Sequence, residues 1–168
     1  MAKARLMAMV GMMICFTALA LGCWSDGQEG ERPVEKPKDP PKPLYERLGR
    51  EKGIRKIVDD FAPRALANPR INFTRKGTPA EWKPTDESIA HIKQMMFLQI
   101  GEASGGPQRY IGRDMKSVHQ GMRISGYEFD LLKRELKESL KHLKVKDEDQ
   151  RDLFKIIESV RKDIVEVP

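Results

Sequence analysis

"GRDMKSVHQGM", residues 112–122, carries one histidine on a short amphipathic segment. Met115 lies four residues before His119, Met122 three after it, and Val118 directly beside it. That spacing puts apolar groups and the imidazole on one side of a short helix, expected over about 113–121, with Gly121 as its stop. Two readings stand at this point. His119 is a packing residue, or it holds something.

The flanking chain bears on the choice. Downstream, Ser125 followed three residues later by Glu128 forms a capping box. It opens a long helix whose inward stripe is Phe129, Leu132, Leu136, Leu140 and Leu143. A last helix over about 147–164 turns Leu153, Ile157, Val160 and Ile164 inward. Upstream, Gly105-Gly106-Pro107 ends a helix that begins near Thr85, with Thr85 or Ser88 as its cap. Its apolar stripe is Ile89, Ile92, Met96, Ile100 and Ala103. An earlier helix places Ile54, Val58, Phe61 and Ala65 on one face and stops at Asn68-Pro69. Pro63 inside it predicts a kink, or a break that re-aims the last turn. Between these two helices lies a loop with one aromatic pair, Phe73 and Trp82. Its length and its one large apolar side chain suggest a cover over a nearby opening. No alternating strand pattern of useful length occurs, so the fold class is all-α.

The ends of the chain differ in character. The 168 residues carry a net charge of +6 and two cysteines. Residues 1–22 read as a signal peptide: Lys3 and Arg5 precede an apolar run that ends at small residues before Cys23. The run is short for a membrane span of ~20 residues. A cysteine in that setting resembles the lipidated first residue of a bacterial lipoprotein. Residues 23–43 then form a tether, rich in charge and with five prolines after Cys23, that cannot offset its ordering entropy. Residues 44–168 are the folded domain. Loss of Lys3 and Arg5 lowers the net charge to about +4. With no aromatic–basic cluster, nucleic acid is not an expected partner. The mature chain keeps only Cys23, so neither a disulfide nor a thiolate metal site is available to the domain.

For His119, no second ligand stands at zinc spacing and no catalytic triad is supported. Its surroundings are rich in methionine and valine, with Arg109, Arg113 and Lys116 just outside. An apolar pocket rimmed by cations suits a large, flat ligand carrying two carboxylates, namely haem, held through its iron by one imidazole.

The motifs "LYERLG" (44–49), "VDDF" (58–61), "GGPQRY" (105–110), "GRDM" (112–115) and "HQGM" (119–122) resemble, in order and spacing, the group I truncated haemoglobins. The likeness spans nearly all of 44–168. It implies a two-over-two helical sandwich, a shortened globin, with one haem b per chain and His119 as the proximal iron ligand. It implies pocket positions for Phe61, Phe73, Met115 and Val118, and puts Tyr110 and Arg113 near the haem edge. The distal side falls on Ile92 and Met96, with Ile100 one turn further. The second nitrogen of His119 is expected to bond a backbone carbonyl one turn earlier.

The sequence departs from the family at one position. Members commonly carry a tyrosine after the first helix's phenylalanine, and its hydroxyl bonds the diatomic ligand. Here that residue is Ala62. The expected distal side is short of donors, which implies fast O2 release and ready autoxidation. Gln99, one turn past Met96, is a candidate donor. His91 lies one position off the expected distal slot; it is a surface residue or, after a register slip, a sixth ligand. His142 reads as a surface group complementing a helix C-terminus.

Three functions remain at this level. One is reversible binding of O2, NO or CO outside the cytoplasm. The second is redox, NO-dioxygenase or peroxidase-like chemistry with an unknown electron donor. The third is a haem-free helical module. The expected location is extracytoplasmic, on a membrane through a lipid anchor. The absence of aspartate after Cys23 favours an outer membrane.

Overall fold

The computed structural model describes residues 40–167. The targeting segment, Cys23 and the tether up to residue 39 lie outside the described residues. Seven helices follow in order: α1 Leu44–Arg47, α2 Arg50–Ala67, α3 Asp86–Ala103, α4 Met115–His119, α5 Gly126–His142, α6 Asp147–Ser159 and α7 Arg161–Ile164. No strand occurs among the described residues; one isolated bridge joins Ser125 and Val167. Helix α2 packs on α3 and across α5, α5 packs on α6, and α1 reaches both α2 and α6. The two helix pairs, α2/α3 and α5/α6, make the two layers of the sandwich.

Local signals set the helix ends. Thr85 and Ser88 form a reciprocal capping box at the start of α3, and Ser125 and Glu128 form one at α5. Helix α2 runs without a break through Pro63. The proline removes one backbone hydrogen bond, but the buried Phe61, Ala62 and Ala65 around it tie the last turns to the core. The expected last helix is divided at Val160 into α6 and α7.

The core joins the two layers. Ile54, Ile57, Val58, Phe61 and Ala65 of α2 meet Phe97 of α3, Leu136 and Leu140 of α5, and Leu153 of α6. Helix α1 closes one end. Leu44 and Leu48 are buried, while Arg47 reaches Asp149 and, at 2.7 Å, Asp152 on α6. Gly49, at φ +88°, turns the chain from α1 into α2.

Two of the sequence motifs touch here. The Tyr45 N–H donates to the Ser104 carbonyl at 2.9 Å, and the Gln108 side-chain amide donates to the Tyr45 hydroxyl at 3.2 Å. A Cβ on Gly106 would lie 2.4 Å from the Gln108 side-chain oxygen and 2.5 Å from the Tyr45 ring. A glycine is needed there because "GGPQRY" folds directly onto "LYERLG".

Asp60 links α2 to α5. It takes 2.6 Å from Arg64 and 2.7 Å from His142. His142 is exposed, as expected, but it pairs with a carboxylate rather than with its own helix end. The Arg64 guanidinium, with help from His142, holds the Asp60 carboxyl down to about 2. A carboxylate depressed in the folded state adds stability above its unfolded value and loses it as pH falls toward the folded one. Stability is therefore expected to drop by about 1–2 kcal/mol from this group between about pH 4 and 2. Urea titrations of Asp60→Asn should show a shallower acid loss than those of the native chain.

Candidate functional site

Helix α4 is one turn long, and its surroundings hold it. The Asp114 carboxylate caps it by accepting from the Ser117 N–H at 2.9 Å. Gly121, at φ +81°, turns the chain at its end. The Met122 N–H returns to the His119 carbonyl at 3.0 Å. The C-terminal tail then fastens the following loop. Glu166 accepts from the Gly121 N–H at 2.7 Å and the Arg123 N–H at 2.5 Å. Its own N–H and that of Val167 both donate to Ile124.

Within this frame His119 is half-buried, and its Nδ1 lies 2.8 Å from the Met115 carbonyl. A carbonyl only accepts, so Nδ1 carries the proton and Nε2 is the bare nitrogen. Burial pushes the imidazole below its ordinary value; the Met115 carbonyl opposes this and the Arg75 charge adds to it. A neutral ring with a free Nε2 is the form that binds a metal.

His119 forms part of the wall of a cavity of about 330 Å³. Helix α3 contributes Ile92, Met95, Met96 and Gln99, with His91 at the exposed edge. Phe73 and Trp82 come from the loop between α2 and α3. Their rings meet edge to face, with centroids 6.0 Å apart, and the Trp82 indole donates to the Phe73 carbonyl at 2.9 Å. Tyr110, Met115, Val118 and Met122 complete the side near α4, and Phe129 and Leu132 form a floor on α5.

The structure thus brings Phe73, Ile92, Met96, Tyr110, Met115, Val118 and His119 to one cavity, with His91 at its rim. It does not bring three of the expected residues there. Phe61 is buried in the core between α2 and α5, because its face of α2 is the one that meets the second layer. Ile100 follows the cavity-lining Gln99 directly on α3 but packs against that same core. Arg113 precedes α4, which starts at Met115 rather than near 113, and its side chain is exposed. Trp82 does line the cavity, so the long loop forms part of its wall.

Two groups in the wall escaped the sequence reading. Arg75 is 5 % exposed. It donates to Glu128 Oε1 at 2.9 Å and to the Met122 carbonyl at 3.2 Å. Glu128 was visible only as a helix cap; its Oε2 does take the Ser125 N–H at 3.1 Å, while its other oxygen faces Arg75. The tail residue Ile164 also reaches the cavity. A charged residue in a turn-rich loop ordinarily faces solvent, so no signal marked Arg75 as buried.

These residues fit haem. The wall is mostly apolar, which suits a flat macrocycle. Among the described residues there is no group of three or more His, Cys, Asp or Glu that would hold a bare ion. A single imidazole suits a metal that brings its other donors with it.

Comparison with known proteins agrees with this geometry. Residues 43–166 match the model of the family described as bacterial-like globin. The chain is 32% identical over 125 residues to a group 1 truncated hemoglobin of Tetrahymena pyriformis, covering 74% of this chain and 96% of that protein. It is similar in fold to the crystal structure of that organism's truncated hemoglobin in the Fe(III) form, with a TM-score of 0.64 at 30% identity over 74% of this chain and 98% of that one. It is also similar to the 2/2 hemoglobin of a Synechococcus species in the cyanomet state with covalently attached heme, with a TM-score of 0.62 at 28% identity over the same shares.

His119→Ala is expected to lose haem on a desalting column that the native chain survives, while its helical circular dichroism stays unchanged. Equal retention by the variant would remove His119 from the site.

Proposed function

The chain belongs to the bacterial-like globin family, and from that premise we propose that it binds haem through His119 and reversibly takes up a diatomic ligand, O2, NO or CO, on an apolar side of the cavity. The observation that carries the reading is the His119–Met115 hydrogen bond, which leaves a bare Nε2 in the wall of a mostly apolar cavity. Bound haem would supply an iron that takes up a diatomic ligand, and His119 would hold that iron through Nε2. The heme named for the Synechococcus relative supports the same cofactor here. We take it as haem b, one per chain, since His119 alone among the three histidines pairs a backbone carbonyl with a cavity-facing ring.

This chain's residues do three things for such a ligand. The Met115 carbonyl fixes the imidazole tautomer and the plane of the ring. Phe73, Trp82 and Phe129 give the wall broad apolar faces against which a flat macrocycle would pack. Helix α3 sets the polarity around the ligand: Ile92 and Met96 offer no donor, and Gln99 brings an amide to the wall. Ala62 is 1 % exposed and carries no hydroxyl. A ligand that gains negative charge on binding, as O2 does, is then weakly held wherever the Gln99 amide does not reach it. Apolar CO and NO lose less. NO oxidation needs stably bound O2 and an electron donor, and Ala62 weakens that case, whereas peroxide chemistry would be favoured by an open ferric iron.

A second reading rests on His91 at the cavity rim. Should it reach the iron, the haem is six-coordinate and electron transfer becomes the favoured role. The signal-like segment and Cys23 extend the proposal to a lipid-anchored protein outside the cytoplasm, on an outer membrane in a host with two membranes.

The reduced, ligand-free haem complex is expected to give a Soret band and one broad visible band, the mark of an open sixth position. Two sharp visible bands that disappear in His91→Ala would establish the second reading instead. No Soret band after haem addition would leave a haem-free module. Ile92→Gln, which adds a donor on α3, is expected to slow O2 release by about tenfold in stopped-flow, as one hydrogen bond to a charged acceptor should. Unchanged release would mean that α3 does not face the ligand.

A further inference from the structure

Arg75 and Glu128 form a buried ion pair where the cavity wall meets the loop behind His119. Their side chains are 6% and 17% exposed. Both line the same cavity as His119. Arg75 donates through Nη2 to Glu128 Oε1 and through Nη1 to the Met122 carbonyl. The Met122 N–H in turn donates to the His119 carbonyl, so two hydrogen bonds lead from the guanidinium to the imidazole-bearing residue. Glu128 Oε1 also takes the Asn72 N–H at 3.1 Å, and its Oε2 takes the Ser125 N–H. The carboxylate is held from three sides.

A loop can be fastened to a helix with apolar contacts. A buried ion pair carries a desolvation cost that often equals or exceeds its Coulomb gain. The pair is therefore poorly explained as a staple alone. Its placement suggests an electrostatic role. A fixed positive charge near a metal in a low-dielectric wall disfavours the more oxidised metal, and a fixed negative charge favours it.

We propose that Arg75 and Glu128 are opposed positioning charges that set the ferric/ferrous balance of an iron held by His119. Arg75 favours the ferrous state and Glu128 the ferric one, so the intact pair holds the balance between the two extremes. With Ala62 supplying no hydroxyl to bound O2, the Arg75 charge is the built-in counterweight to oxidation. The inference rests on the haem reading above.

The test is spectroelectrochemical titration of the full chain reconstituted with haem. Arg75→Gln leaves the Glu128 charge unbalanced and is expected to lower the ferrous-to-ferric ratio at a fixed applied potential ~10-fold, which is ~59 mV for a one-electron couple. Glu128→Gln keeps the capping geometry, since glutamine also serves at that position, and is expected to raise the ratio by a similar factor. The double variant returns close to the native value, and Arg75→Lys, which keeps the charge, stays near it. A merely structural pair would move both single variants in the same direction or neither, and either result overturns the inference. If Arg75→Gln does not fold, Glu128→Gln and Arg75→Lys still decide it: no rise in the first, or a fall in the second like that expected of the lost charge, is contrary. A native chain without a Soret band overturns the haem reading and this inference together. A Soret band with unmoved potentials overturns this inference alone.

Discussion

The hydrogen bond from His119 Nδ1 to the Met115 carbonyl is the contact on which the cavity's chemistry depends. It assigns the proton to one nitrogen and leaves the other bare, on a side chain that lines the cavity. A one-turn helix does not hold such geometry unaided, because it has too few internal hydrogen bonds to outweigh its ordering cost. Much of the surrounding structure is devoted to it. Asp114 caps its start, Gly121 turns its end, and the tail carboxylate of Glu166 grips the loop that follows. Arg75 reaches the same loop through the Met122 carbonyl.

The cavity exists because the sandwich is packed unevenly. The Phe97 face of α3 meets α2 and is buried, whereas the Ile92 and Met96 face stays half-exposed against open space. In a solid core those two would be as buried as Leu140 or Leu153. Apolar side chains held short of burial are a cost to folding. A flat apolar ligand removes that cost, which couples haem binding to stability.

What was legible in the sequence was chiefly local. Capping boxes at Thr85 and Ser125, the glycine stops and the 3.6-residue stripes located the principal helices. The motif around His119 indicated both the family and the imidazole's partner. Where the reading fell short, the cause was long-range. Periodicity finds an apolar face but does not say whether it meets another helix or a hole; the resemblance gave Phe61 and Ile100 pocket positions, and in the structure both pack at the core. Pro63 predicted a break on local grounds, and burial on both sides of it prevailed. Arg75 carried no signal, because its burial depends on a glutamate 53 residues away. Helix α1 was too short to leave a period, although its motif was recognised.

The central claim is that His119 Nε2 is the protein's bond to haem iron, oriented by Met115. A crystal structure of the chain grown with haem tests it most directly. The account predicts iron density bonded to His119 Nε2, with Nδ1 still 2.8 Å or so from the Met115 carbonyl and the macrocycle between α3 and α4. Iron bonded to His91 with His119 turned away, or a cavity closed by repacked side chains and no haem in it, would contradict it.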